Sequence, residues 1–147
     1  MTKKRWIKSY EAGKVPPHWA LSLEPSKLAK NFLRIVKKGR VLEIGCGNGR
    51  DSLFFARHGL NVSAIDLSAG AIKLARENSK KLKVGGKVSF KKADAEKLPF
   101  PGRTFYGVYS IGVLHSTNLD KSFAEIARVL KPGGVALLHL WQKTRFL

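Results

Sequence analysis

Apolar positions along the chain recur in two alternating periods. Val41, Leu42 and Ile44 surround one acid, Glu43, in a short run that reads as a buried strand. Glycines at 45, 47 and 49 follow, and Asp51 opens a run at helical spacing, so a helix is expected from Arg50 to about His58, stopped by Gly59. Residues 61–67 predict a second short strand ending in an acid, and Ser68 predicts the start of a helix reaching about Leu82. Gly85 and Gly86 make a turn. Residues 87–91 then alternate polar and apolar as an edge strand would, with lysines that discourage stray pairing. Residues 98–103 read as loop and 104–110 as a fourth strand. Asn118 or Asp120 caps a helix to about Leu130, a tight turn spans 131–134, and a fifth strand spans 135–141.

Ahead of this series, residues 25–36 carry an amphipathic helix with Ser26 near its start. Residues 1–24 alternate aromatics with breakers (Trp6, Tyr10, Gly13, Pro16, Pro17, Trp19) and read as an irregular arm folding over a pocket mouth. The expected organisation is therefore an arm, 1–24, and one binding domain, 25–147. Strands alternating with helices imply right-handed crossovers and an α/β fold. It is a Rossmann-like, doubly wound, mainly parallel sheet with helices on both faces.

Composition narrows the class. A chain of 147 residues with 44% hydrophobic content is one domain with enough apolar material for a core. The amino terminus has charges but no apolar run behind them, so it does not read as a secretory signal. The run 135–141 is interrupted by His139 and too short for a bilayer. The single cysteine, Cys46, excludes an internal disulfide and a cysteine-cluster metal site, and no metal is expected. A cytoplasmic location is the expectation.

The formal charge of +18, from 28 basic and 10 acidic residues, invites a nucleic-acid reading. Clusters stand at 3–5, at 37–40 and from 80 to 92. The latter two fall mostly at helix ends opposite the ligand side of a parallel sheet, where cations also complement helix dipoles. Two readings remain open: a solvated basic underside, or a docking surface for RNA.

Chemistry concentrates at the strand ends. The glycine turn lets a ligand lie against bare backbone, and the helix behind it points free N–H groups at that ligand. Asp66, 21 positions after Gly45, can accept hydrogen bonds from ribose hydroxyls. That spacing suits NAD and S-adenosylmethionine (SAM) alike. Asp94, with small Ala95 beside it, is placed to receive an adenine amino group, and buried Glu43 needs a partner such as a cationic ligand end. A dinucleotide fingerprint puts its third glycine three positions after the second; here Arg50 stands there, which disfavours NAD(P).

The motif Glu43-x-Gly45-x-Gly47-x-Gly49 resembles motif I of the class I SAM-dependent methyltransferases. The resemblance extends through Asp66, Asp94-Ala95, residues 109–115 and residues 128–134. The run 47–56 and the spaced aromatics of the arm look like the branch that contains tellurite-resistance and thiopurine methyltransferases. The resemblance implies SAM held by Glu43, Gly45, Gly47, Gly49, Asp66, Leu67, Asp94, Ala95, and the backbone near Ser110 and Ile111, with Trp19 contributing from the arm. The implied activity is methyl transfer to a small-molecule acceptor, such as a thiol or other soft nucleophile. RNA methylation, or a non-catalytic SAM-binding or partner-docking fragment, is the alternative. His115 and His18 are candidate proton acceptors, although His115 also suits plain packing in a loop. Cys46 reads as a small turn residue rather than a nucleophile. Two departures stand out. Tyr106 occupies a position where the family usually carries Asp, which bears on a structural hydrogen bond. The chain also stops before the family's last two strands, so a partner or a second copy in a homodimer is expected over the edge of strand five.

Overall fold

The computed structural model describes residues 2–13, 22–84 and 86–141. The elements are α1 (Lys3–Glu11), α2 (Lys27–Ile35), β1 (Arg40–Ile44), α3 (Arg50–Arg57), β2 (Asn61–Asp66), α4 (Ala69–Lys81), β3 (Val88–Lys92), β4 (Phe105–Ile111), α5 (Leu119–Val129) and β5 (Leu130–His139), with a 3₁₀ turn at Leu114–Ser116. All strand pairs are parallel, in the order β3-β2-β1-β4-β5. The expected Rossmann-like α/β sheet is what the chain forms.

Local chemistry explains most boundaries. Ser26, Ser68 and Asn118 each accept a backbone N–H from the first turn of the helix they precede. β1 is buried from Val41 to Ile44 because helices cover both faces of the sheet. On one face Phe32 of α2, Phe55 of α3 and Tyr109 of β4 form an aromatic cluster with ring centroids 5.0–5.2 Å apart. On the other, Ile126 and Val129 of α5 pack against Leu42, Ile44, Phe105 and Val108.

Two expectations need correction. The first turns of the presumed irregular arm are helical: Thr2 caps α1 by accepting from Arg5 N, and the helix packs beside α4. Lysines in the first turn oppose the helix dipole, so the sequence hides this helix, and docking of Tyr10 against Gly70 compensates. The tight turn at 131–134 is not a separate element. It is an irregularity inside β5, whose pairing jumps from Phe105–Leu130 to Gly107–Val135. β5 ends at His139 rather than at 141, and β3 and β5 are the two edges.

Gly107 is where α2 meets the sheet. A Cβ there would lie 2.7 Å from Phe32 Cζ and 3.2 Å from Val36 Cγ2. Phe32 is fully buried between two other rings and has nowhere to move. Gly107→Ala is expected to cost about 1–3 kcal/mol through overpacking. Urea unfolding would show this as a lower midpoint; an unchanged midpoint would mean that α2 yields.

Candidate functional site

In this strand order the chain reverses direction between β1 and β4, and a crevice opens at the carboxyl ends of those strands. The crevice here is a cavity of about 400 Å³, within the range of small-ligand sites. Its floor is the turn after β1. Gly45 N and Cys46 N both donate to Ile65 O, at 2.8 and 3.0 Å, which locks that turn onto β2. Gly47 has φ +54°, and a Cβ there would lie 2.7 Å from Tyr10 Oη. A side chain at 47 is excluded both by its backbone angle and by the helix above it.

Three carboxylates line this cavity, Glu43, Asp51 and Asp66. Asp66 ends β2; its Oδ2 accepts from Gly47 N at 3.0 Å and its Oδ1 from Ser68 N at 2.9 Å. Each oxygen keeps a further lone pair for a ligand. Burial raises the Asp66 pKa above the ordinary carboxylate range, opposed by those N–H donors. Glu43 is 5% exposed, and its Oε1 accepts from Ser52 Oγ at 2.6 Å. Burial, then the charge of Asp51, holds its pKa well above the usual range. Asp51 is itself tied down, accepting from Ser26 N (2.9 Å), Ser26 Oγ (2.9 Å) and Tyr109 Oη (2.7 Å). Burial pushes the Cys46 thiol well up, so it stays protonated, as a turn residue would.

The outer wall is apolar and aromatic. Trp6, Ile7 and Tyr10 of α1 approach from one side; Val113 and Trp141 approach from the other. Lys3 spans to Asp94 and Glu96 at 3.8 and 3.9 Å, tethering the first turn of α1 across the crevice.

Of the residues expected from sequence, Glu43, Gly45, Gly47, Asp66, Leu67, Ala95 and Ile111 line the cavity. Four do not. Gly49 is the N-cap of α3 and faces Ala75 and Phe90. Asp94 accepts from Glu96 N and faces Lys3, outside the wall formed by its neighbours Ala93 and Ala95. Ser110 is fully buried and donates its hydroxyl to Ile44 O, bracing β4 against β1. His115 lies in the 3₁₀ turn, whereas Ser116 and Thr117 reach the cavity. Trp19 and His18 lie outside the described residues. Sequence reasoning placed Trp6 and Tyr10 in an arm over the pocket mouth but missed Ile7 and the helix that carries all three; their helical spacing behind Thr2 was the available signal. Nothing in the sequence marked Trp141 or the Ser26–Asp51–Tyr109 network.

The fold and this crevice define a nucleotide-type α/β binding domain. A model described as a methyltransferase domain matches residues 41–134, and the chain belongs to the family of SAM-dependent methyltransferase domains. A sterol 24-C-methyltransferase from Eremothecium gossypii is 37% identical over 106 residues, covering 71% of this chain but 28% of its own length. The chain thus spans less than a third of that relative. Among solved structures, one from the conversion of a disulfide bond into a thioacetal group during echinomycin biosynthesis superposes with TM-score 0.79 at 28% identity. It covers 92% of this chain and 59% of that one. The [4+2]-cyclase SpnF superposes with TM-score 0.72 at 28% identity, over 76% and 43% respectively. No helix among the described residues is long and apolar enough to cross a membrane.

Because the folded pKa of Glu43 is raised, its contribution to stability is full at low pH and is lost as pH rises toward and through that folded value. Glu43→Gln removes this dependence. As pH rises from the ordinary carboxylate range, the wild type should lose thermal stability relative to the variant, without ligand. Parallel pH profiles of the melting temperature for the two proteins would contradict a raised Glu43 pKa.

Proposed function

We propose that this domain binds SAM and transfers its methyl group to a small, largely apolar acceptor, with a thiol or other soft nucleophile favoured. The observation that carries the reading is the pair of buried carboxylates, Glu43 and Asp66, at a side-chain-free turn facing a cavity whose outer wall is aromatic. The donor set fits. Asp66 has lone pairs left for two ribose hydroxyls, while Glu43 offers a buried anion to a cationic amino-acid end. Gly45, Gly47 and Leu67 would give backbone contact, with Ala95 and Ile111 against the base. Bound SAM supplies an activated methyl group on a sulfonium.

The chain's own contribution is alignment and dryness. Trp6, Ile7, Val113 and Trp141 would hold an apolar acceptor against the donor and exclude water. Burial and the nearby Asp66 charge raise the Tyr10 pKa, so its phenol stays neutral and can only donate or accept a hydrogen bond. No histidine is among the cavity-lining residues described, which favours an acceptor that is already soft or anionic over one needing a strong base. The structural neighbour linked to disulfide-to-thioacetal conversion fits that preference, as does the sequence likeness to the tellurite-resistance and thiopurine branch. RNA as the acceptor is disfavoured, because the cavity's outer wall is apolar and aromatic, with Trp6, Ile7, Val113 and Trp141. The outer edge of β5 is where a further strand or a second copy would pair.

The test is titration with SAM followed by methyl transfer to aromatic thiols. Asp66→Ala removes two charge-assisted hydrogen bonds worth about 1.5–3 kcal/mol each, so SAM affinity should fall by at least about 100-fold in a folded variant. Unchanged affinity would overturn the assignment. SAM binding by the wild type with no transfer to any acceptor would instead support a binding-only domain.

A further inference from the structure

The residues that immediately enter β1, β2, β3 and β4 are rich in cations, and the two acids of the β3–β4 connection, Asp94 and Glu96, stand at its far end, next to the end of β3. Lys37, Lys38 and Arg40 lead into β1; Arg57 precedes β2; four lysines lie between 80 and 87, before β3; Arg103 precedes β4. These entries are adjacent in space. Asn61 N donates to Gly39 O at 3.0 Å and Val62 N to Lys87 O at 2.7 Å, which ties the first three side by side. The Arg40 guanidinium lies 5.2 Å over the Phe105 ring, which carries the surface across to β4. None of these cations enters an ion pair among the described residues; the four ion pairs present use Lys3, Arg50 and Arg128.

Helix dipoles do not explain this. A helix carboxyl end favours a cation within its last turn, but no helix precedes β4, and Arg103 still stands at its entry. One-signed clustering is self-repulsive and lowers stability, so it reads as a surface shaped by an anionic partner.

A second feature identifies the partner. Tyr106 is 50% exposed on this same face, whereas the other exposed large rings among the described residues, Phe123 and Trp141, lie on α5 and at the cavity. Its ring packs so closely over Gly39 (φ +98°) that a Cβ there would lie 2.5 Å from Tyr106 Cδ2. Lys131 Nζ sits 4.4 Å above the same ring. An aromatic platform with a cation over it, bordered by a basic track, is how unpaired bases and their phosphates are held together. A base stacking on Tyr106 would take the place of the ammonium and leave Lys131 free for the adjoining phosphate. The acid that the family pattern leads one to expect at 106 would have interrupted the track.

We propose that this face, at the end of the sheet opposite the cavity, docks single-stranded RNA through its phosphates and one stacked base, without sequence selection and without presenting it for methylation. Four strands side by side span roughly 15 Å, enough for several phosphates in register. A membrane surface is disfavoured: seating this face on a bilayer would turn the cavity away from it, and a lone half-exposed tyrosine is a poor apolar anchor.

The test is anisotropy with a labelled single-stranded RNA of about 20 nucleotides across a salt series, where about five phosphate contacts predict a log–log slope near −3.5. The triple variant Lys38→Glu, Lys81→Glu, Lys87→Glu should lose more than about ten-fold in affinity and show a shallower slope. The triple variant Lys27→Glu, Lys97→Glu, Lys121→Glu, of identical net charge but altered at the cavity end, should stay within about three-fold. Tyr106→Ala should weaken single strands by about 5- to 100-fold at an unchanged slope, and duplex RNA hardly at all. SAM affinity should be unaffected in every variant, so this result stands or falls apart from the cofactor assignment. Equal losses from the two triple variants would reduce the effect to net charge. That outcome, or binding to anionic phospholipid vesicles in preference to RNA, would overturn the proposal.

Discussion

Glu43 lies in the interior strand of the sheet with one side-chain donor, Ser52, at 2.6 Å, and a second carboxylate, Asp51, raising its pKa further. Burying such a group is costly unless it is neutral or meets a cation. Much of the surrounding geometry can be understood as managing that cost. Ser52 points at Glu43 because α3 begins immediately after the glycine turn. Asp51 is kept anchored by Ser26 and Tyr109, so α2, α3 and β4 are joined through a single carboxylate. The aromatic cluster of Phe32, Phe55 and Tyr109 holds those same three elements together. A site with one poorly matched carboxyl is therefore supported by a network in which the neighbouring carboxylate is matched by three donors.

The opposite ends of the strands carry opposite chemistry. At the carboxyl ends the acids Glu43, Asp51 and Asp66 surround a cavity roofed by α1. At the amino ends the strand entries are rich in cations and carry an exposed ring, Tyr106. A parallel sheet makes this separation straightforward, since every strand enters at one end and leaves at the other. Small-ligand recognition and polyanion recognition thus need not compete for the same surface.

The sheet and the heart of the site were legible in the sequence because their signals are local. The run from Val41 to Gly49 states strand and turn by itself, and Asp66 sits where a buried strand must end. Helix boundaries were readable from Ser26, Ser68 and Asn118, whose side chains act within one turn. What was not legible depends on contacts far apart in sequence. α1 carries lysines that argue against a helix start, and it is held by Tyr10 against Gly47 and Gly70. Asp94 was assigned by its position at a strand end, but Lys3, 91 residues away, gives it another neighbour. His115 sits one residue short of the pair that reaches the cavity, a distinction no periodicity could draw. Tyr106 was noticed as a departure, yet only the packing over Gly39 shows what that departure exposes.

The central claim is that Glu43, whose pKa burial raises, is the partner of a cationic methyl donor whose arrival brings that pKa down. Calorimetric titration of SAM near neutral pH, in two buffers that differ in their heats of protonation, measures this directly. The account predicts proton release on binding, lost in Glu43→Gln, because a bound cation lowers the carboxyl pKa. SAM binding with no proton release, or tighter binding of NAD than of SAM, would contradict it.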